Sequence, residues 1–519
     1  MLQTLSDLLA RGVSRRPAAA AVTDGEATLS WSQFAGRVNG LAAQLRGAGV
    51  EAGDAVALWL PNSADALAMI FACARVGALA VHVNTRFRVS EVASLLSRTG
   101  ARVLVTEWGF GPVDFAAVLA GVDAGSLREL RLVIGRRLPP GVTQVAGIPA
   151  IRLEPLAQTG EGEAADAARP DAPCLTFTTS GTTSGPKLVL HDQRAIAGHA
   201  ETLAVATGLE QPGSALLAVT PFCGTFGNVT AMAAVAGGAH VICMDQFDPA
   251  EAVRLMRRHR VTHGFGGDDL LLRICEAAAG EPFADIRMFG FASFTSSAAA
   301  TAETALAMGL QPVSCYGSSE MQALFAFAPA ASRLRMGGAP VWPEADVSVR
   351  DPDTGEALPF GQPGELCFRG PSRFVRYLGD DAASARSTTP DGFFRSGDLG
   401  HLEADRFVFH ARIGDALRLG GFLVNPEEIE GFLVTQPGVE AAQVVAAGAE
   451  PRPVAFVIAR PGAAIDEAAL LAACRTNLAH FKAPVRIVAL EAFPITDSPN
   501  GRKIQKTRLR DTANALLAG

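Results

Sequence analysis

The segment Thr179-Ser180-Gly181-Thr182-Thr183-Ser184-Gly185-Pro186-Lys187 crowds hydroxyls around two glycines and ends on a lysine. Backbone N–H groups and Oγ atoms in such a loop converge readily on an anion, and Lys187 adds a positive charge. A kinase-type P-loop needs Gly directly before the lysine, Ser or Thr directly after it, and then a helix. Here Pro186 precedes Lys187, Leu188 follows it, and a strand-like run comes next. The loop alone therefore reads either as an anion cradle of another kind or as a hydroxyl-rich surface turn.

Four further constellations lie downstream: Tyr316-Gly317-Ser318-Ser319-Glu320; Ser396-Gly397-Asp398-Leu399-Gly400; Arg412 to Asp415 with Gly420-Gly421, Pro426 and Glu428-Ile429-Glu430; and Gly501-Arg502-Lys503-Ile504-Gln505-Lys506. Taken singly, Asp398 reads as a turn acid, Tyr316 as a core aromatic and Lys503 as a solvated charge. The basic residues give an independent signal. Of 45 Lys and Arg residues only Lys187, Lys482, Lys503 and Lys506 are lysine. In a chain that otherwise uses arginine, a retained lysine marks a site where a compact ammonium is not replaceable by a planar guanidinium. Tyrosine is rarer still, occurring only as Tyr316 and Tyr377.

These residues need a scaffold. From Leu29 to Thr106 helical patterns (Phe34 to Ala48, Ser90 to Ser97) alternate with short apolar strands (Ala55 to Leu60, Ala78 to Val83, Ala101 to Thr106), which predicts an α/β fold with partly parallel sheets. Strands at Cys174 to Thr178 and Leu188 to Leu190 bracket the loop. Alternation resumes with a helix over Pro249 to His259, a strand over Val261 to Phe265 and a helix over Ala298 to Met308. Beyond about Ala345 short strands with Gly, Pro and Asp turns take over. The polar stretch Thr159 to Ala172 reads as an exposed linker.

Composition narrows the function. At 519 residues and 49% hydrophobic content the chain can bury a large core and form more than one domain. A net charge of −7, with no run of like charges, argues against nucleic acid as a partner. Eight scattered cysteines without a CxxC pair read as buried thiols in a reducing cytoplasm. The start reads as an amphipathic helix rather than a signal peptide, because Asp7 interrupts its apolar run. Ala66 to Val83, broken by Arg75 and Gly77, reads as a buried helix running into a strand and not as a membrane span.

In their order and separations the motifs resemble the acyl-adenylate-forming superfamily of acyl-CoA synthetases, carrier-protein-loading adenylation domains and beetle luciferases. The resemblance runs from Leu29 to Arg510. It implies a large N-terminal domain of mixed α/β sheets with a β-rich subdomain (1–414) and a small mobile α+β C-terminal domain (415–519), hinged at Asp415. It implies ATP and Mg2+ as cofactors, and a carboxylic acid and either CoA or a phosphopantetheine carrier protein as partners. A homodimer is compatible with it.

By the same resemblance Thr179, Ser180, Gly181, Thr182, Thr183 and Lys187 hold the β- and γ-phosphates of ATP. Tyr316 and Gly317 lie at the adenine, and Ser319, where the family more often has Thr, touches the α-phosphate. Glu320 holds Mg2+, a hard cation suited to carboxylate oxygen. Asp398 accepts from the ribose hydroxyls, and Arg412 donates to the sugar or a phosphate. Lys503 reaches in to bridge the substrate carboxylate and the α-phosphate, where charge builds in the transition state. Gly420 and Gly421 flank the thiol tunnel. Cys223, Gly224, Phe226, Ala292 and Ser293 line the acyl pocket.

Four departures bear on the destination of the acyl group. Ser184 and Leu188 stand where glycines are usual. Gly224 stands where His or a large aromatic commonly gates the pocket. Ala292-Ser293-Phe294-Thr295 replaces a usual Gly-Gly-Ala-Pro, and Val444 to Val457 is shortened where relatives present surface to CoA. The expectation is ATP-dependent activation of a bulky, apolar acid to acyl-AMP, then thioester formation with CoA. The alternatives are an acyl-AMP ligase that loads a carrier protein or hands on the adenylate, and a non-catalytic nucleotide-binding scaffold.

Overall fold

The computed structural model describes residues 2–153, 165–179, 187–292, 298–328, 337–413, 417–419, 422–424, 426–448, 451–478, 480–498 and 501–518. A nine-stranded sheet runs in the order Arg376–Tyr377, Leu188–Asp192, Pro173–Thr178, Leu79–His82, Ala55–Trp59, Val103–Glu107, Leu132–Arg136, Ile148–Arg152 and Gln144–Val145. Its centre is parallel and buried on both faces, which is why Ala55–Trp59 is apolar throughout. The period of two still sorts the side chains: Val56 and Leu58 enter one core, Ala57 and Trp59 the other.

A second, thirteen-stranded sheet changes character along its width. Strands His263–Gly267, Met288–Ala292 and Pro312–Tyr316 are parallel to one another. Beyond Tyr316 the pairing turns antiparallel, through Ala326–Phe327 and Gly337–Pro340 to Phe407–Arg412, Phe394–Leu402, Gly364–Arg369 and Asp346–Arg350. Helices Leu5–Arg15, Trp31–Gly47, Ala64–Val76, Gln193–Thr207 and Thr225–Gly237 share one core with inner faces of both sheets. Thr225–Gly237 lies so deep in this layer that all thirteen of its residues are buried.

The expected helices and strands appear within a few residues of their sequence bounds. Asp7, which breaks the apolar run of the first helix, closes a capping box with Thr4. The Ala66 to Val83 run resolves into helix Ala64–Val76 and strand Leu79–His82. The described part of the Thr159 to Ala172 linker is mostly exposed, with Ala167 N–H bonded to Arg75 O and Arg194 N–H to Pro170 O.

The C-terminal region is α+β. A three-stranded sheet of Val439–Ala447, Arg452–Ala459 and Arg486–Ala489 is accompanied by helices Pro426–Val434, Glu467–Asn477 and Lys506–Ala518. The shortened segment forms a hairpin in which Ala447 already pairs with Arg452. A separate hairpin, Ile495–Ser498 with Gly501–Ile504, carries Lys503 opposite Thr496 and packs against helix Asp268–Ala277 of the large region. Asp415 falls outside the described residues. Among the described residues no helix is long and apolar enough to cross a membrane.

Candidate active site

The site is assembled where the larger sheet switches from parallel to antiparallel, a position at which the ends of neighbouring strands leave a crevice. Strand Pro312–Tyr316 ends there and turns at once. At Gly317 a Cβ would sit 1.2 Å from the Ala323 carbonyl oxygen, so only glycine lets the chain fold back this tightly. A single 3-10 turn, Ser319–Met321, follows. Gln322 and Ala323 then take positive φ angles of 58° and 54°, strain that surrounding contacts must hold.

Two buried histidines hold it. His191 Nε2–H donates to the Ser319 carbonyl at 2.8 Å. His199 accepts from Trp342 Nε1–H on Nδ1 at 2.9 Å, which leaves Nε2–H to donate to the Gln322 carbonyl at 3.1 Å. Burial pushes His191 down to about 4 and His199 down to about 3, so both stay neutral near pH 7. The Ser319 hydroxyl accepts from Thr225 at 2.8 Å, which leaves its own proton available to an anion. Thr225 opens helix Thr225–Gly237, so Ser319 also meets the positive end of a helix.

On one side of the turn Tyr316 O–H donates to Asp398 Oδ2. Asp398 and Arg412 are cross-strand partners, and Arg412 Nε lies 3.0 Å from Asp398 Oδ1. Burial raises the Asp398 carboxyl above its usual range, against the pull of the Arg412 guanidinium and the tyrosine hydroxyl. Tyr316 is pushed up by burial and by the Asp398 anion, so it keeps its proton and remains a donor. Phe368, Phe407 and Phe409 surround its ring with centroids 5.0–5.7 Å away.

On the other side Glu320, 9% exposed, accepts from Tyr377 O–H at 2.7 Å on Oε1. The ammonium of Lys187 sits 4.5 Å from the centroid of the same tyrosine ring. Thr179 N–H donates to the Lys187 carbonyl at 3.0 Å and closes the base of the loop. Ser180, Gly181, Thr182 and Thr183 lie outside the described residues. A buried carboxylate and a lysine flanking one crevice match the donor set for a metal-bound polyphosphate, and Glu320 offers the hard oxygen that Mg2+ takes. The Ser318 Oγ is buried with no hydrogen-bond partner among the described residues.

A third group of residues forms an apolar wall. Asn62 accepts from Phe222 N–H at 2.7 Å and donates to the carbonyls of Ala218 and Thr220, which fixes the loop leading to Cys223 and Gly224. Cys223 is buried and pushed up to about 11, an unreactive thiol. Phe226 is buried edge-on to Phe265, 6.5 Å between centroids. Ala292 pairs with Gly267, the residue before helix Asp268–Ala277. Ser293 falls outside the described residues, as do Gly420 and Gly421; Lys503 is described as part of its strand.

Sequence reasoning thus located Tyr316, Gly317, Ser319, Glu320, Asp398, Arg412 and Lys187 in segments that the fold brings to one crevice. It missed Tyr377, Thr225, His191, His199 and Asn62. For Tyr377 a signal existed, since it is one of only two tyrosines; Asn62 carried none.

Residues 9–378 match the family described as AMP-binding enzyme, and residues 428–499 match the AMP-binding enzyme C-terminal domain. The chain is 31% identical over 517 residues to a feruloyl-CoA synthase of an Amycolatopsis species, covering 96% of this chain and 97% of that protein. It is 28% identical to a 2-hydroxy-7-methoxy-5-methyl-1-naphthoate–CoA ligase of Streptomyces carzinostaticus, over 99% of this chain and 94% of that one. In fold it matches ATP-bound MatB from Rhodopseudomonas palustris with a TM-score of 0.84, covering 99% of each chain at 23% identity.

Proposed function

The chain belongs to the AMP-binding enzyme family, and from that premise we propose that it is an AMP-forming acid–CoA ligase acting on a bulky, largely apolar carboxylic acid. One observation carries the reading: two tyrosine-held carboxylates, Asp398 and Glu320, flank the turn at Ser319, with Arg412 and Lys187 beside them. That is a cradle for the two ends of a nucleoside triphosphate, the sugar at Asp398 and the phosphates at Glu320.

In the first half-reaction a carboxylate oxygen of the acid attacks the α-phosphorus of ATP, and the bond to pyrophosphate breaks to leave acyl-AMP. Ser319 donates to the α-phosphate, Lys187 and its loop hold the departing phosphates, and Glu320 would hold Mg2+, which would supply positive charge against that of the phosphates. Lys503 stabilises the charge that develops between carboxylate and phosphorus. Its strand packs on helix Asp268–Ala277, which begins next to the cross-strand partner of Ala292 and so borders the acyl wall. In the second half-reaction the CoA thiol attacks the acyl carbon and AMP leaves. Rotation at Asp415, which withdraws Lys503 and opens a path beside Gly420 and Gly421, separates the two steps.

The substrate class follows from the wall. Gly224 contributes no side chain, Cys223, Phe226 and Phe265 are buried apolar residues, and Ala292 is a half-buried one. The aromatic acids named for the relatives fit the same description. The test is to incubate the protein with ATP, Mg2+, CoA and a panel of acids, and to follow acyl-AMP and acyl-CoA by mass spectrometry. Bulky acids should yield acyl-CoA, and Lys503→Ala should slow acyl-AMP formation by about 100-fold or more while nucleotide affinity holds. Preference for acetate would reject the substrate class; acyl-AMP accumulating without thioester would move the thiolation step to another acceptor. A Lys503→Ala protein that exchanged pyrophosphate normally would refute the mechanism.

A further inference from the structure

Tyr377 lies in a two-residue strand, Arg376–Tyr377, at the edge of the nine-stranded sheet and outside every motif considered above. Its backbone is pinned from two directions. Val189 pairs with Tyr377 and Leu190 with Arg376, so the strand lies on the one that leaves Lys187. The flanking amides extend that attachment, Val375 N–H to Leu190 O and Leu378 N–H to Leu188 O, both 2.8 Å. On the other side Tyr377 N–H donates to Ser384 Oγ at 3.0 Å. The same short segment grips Glu320 twice: Phe374 N–H donates to the Glu320 carbonyl at 2.7 Å, and Tyr377 O–H to its carboxylate at 2.7 Å.

Lys187 thus immediately precedes a strand of the nine-stranded sheet, Glu320 lies in the turn that follows strand Pro312–Tyr316 of the other sheet, and Tyr377 touches both. Its ring face supports the Lys187 ammonium, and its hydroxyl occupies one oxygen of Glu320. With Tyr377 2% exposed and its ring packed on Phe374, 4.8 Å between centroids, neither contact can drift independently of the other. We infer that Tyr377 is a positioning residue that sets Lys187 and Glu320 at a fixed separation, so that the polyphosphate and its Mg2+ bind as one unit. This rests on the nucleotide reading given above and goes beyond it in assigning a coupling role to a residue outside the motifs.

The coupling makes the two halves of the side chain separable. Tyr377→Phe keeps the ring and the packing volume and removes only the hydroxyl. Tyr377→Leu removes the ring as well. Binding of a non-hydrolysable β,γ-methylene analogue of ATP to the full chain is followed by titration calorimetry at zero and at increasing Mg2+, with melting curves to establish that each variant is folded. For Tyr377→Phe the Mg2+-free affinity should match the original protein, while the gain in affinity on adding Mg2+ should fall about tenfold, as for a lost hydrogen bond to a charged group. Tyr377→Leu should also weaken the Mg2+-free affinity, because Lys187 loses its seat.

An unchanged Mg2+ response in a folded Tyr377→Phe protein overturns the inference. So does an equal loss in both variants with and without Mg2+, which is what a purely structural tyrosine would give. If the original protein itself does not bind the analogue, the nucleotide reading fails instead, and the two failures are distinct.

Discussion

The two ends of the crevice are built from the same three parts and differ in how these are joined. At the end proposed for the ribose Tyr316, Asp398 and Arg412 form a closed set: the tyrosine hydroxyl and the guanidinium both contact the carboxylate, and two of the three are register partners on adjacent strands. At the phosphate end the described partner of the Glu320 carboxylate is the Tyr377 hydroxyl, and Lys187 lies over the ring face instead of on the carboxylate. A carboxylate already paired with a guanidinium has little charge to offer and serves best as a hydrogen-bond acceptor. A carboxylate and an ammonium held on opposite features of one tyrosine keep their charges for a ligand. On the proposed reading the first arrangement is a binding device and the second a place where charge can respond to a reaction.

That contrast gives a division of labour between KM and kcat. The largest effect belongs to Glu320→Gln, which preserves shape and the acceptor for Tyr377 while removing the charge. ATP–pyrophosphate exchange at saturating acid should lose roughly 100- to 1000-fold in kcat, the scale seen when a group acting on developing charge is deleted. ATP KM should move far less. A change confined to KM would erase the distinction between the two ends.

Tyr316→Phe should do the reverse on a smaller scale. It removes one charge-assisted hydrogen bond from the ribose-end carboxylate and leaves the aromatic packing with Phe368, Phe407 and Phe409 in place. ATP KM should rise by about tenfold with kcat close to that of the original protein. The same exchange assay reads both parameters, and a fall in kcat with KM unchanged would assign Tyr316 to the chemistry.

Why one end was legible in the sequence and the other only half so follows from the same difference. Tyr316, Glu320, Asp398 and Arg412 sit in compact segments whose turns demand particular residues, as the forced glycine at 317 illustrates. The contacts that hold the crevice together span 57 residues for Tyr377 and Glu320, 128 for His191 and Ser319, and 160 for Asn62 and Phe222. No local pattern encodes such pairs, because each partner is an ordinary residue until the two sheets stack. Periodicity, a local property, found the helices and strands. Composition, equally local, marked Thr159 to Ala172 as an exposed linker, and its described part is mostly exposed.

The smallest effect, and the most specific, comes from the guanidinium. Burial already raises the Asp398 carboxyl, and Arg412 is the strongest influence pulling it back. On the proposed reading the ionised Asp398 is the stronger acceptor for the ribose hydroxyls, so Arg412→Leu, by raising the carboxyl further, should move the acid limb of kcat/KM for ATP toward higher pH. At neutral pH the loss should stay under about tenfold and shrink as pH rises and the carboxylate ionises. Stability runs the other way. A carboxyl with a raised folded-state value favours the fold while protonated, and that contribution disappears as pH climbs through the value. Without Arg412 to offset the buried anion, the melting temperature of the variant should fall further below that of the original protein at alkaline pH than at acid pH. Arg412→Lys, which keeps the charge, should restore the limb to its place. A profile displaced downward at every pH, with its limb unmoved, would mean that Arg412 acts on the nucleotide directly and that the closed set at the ribose end is not what keeps Asp398 ionised.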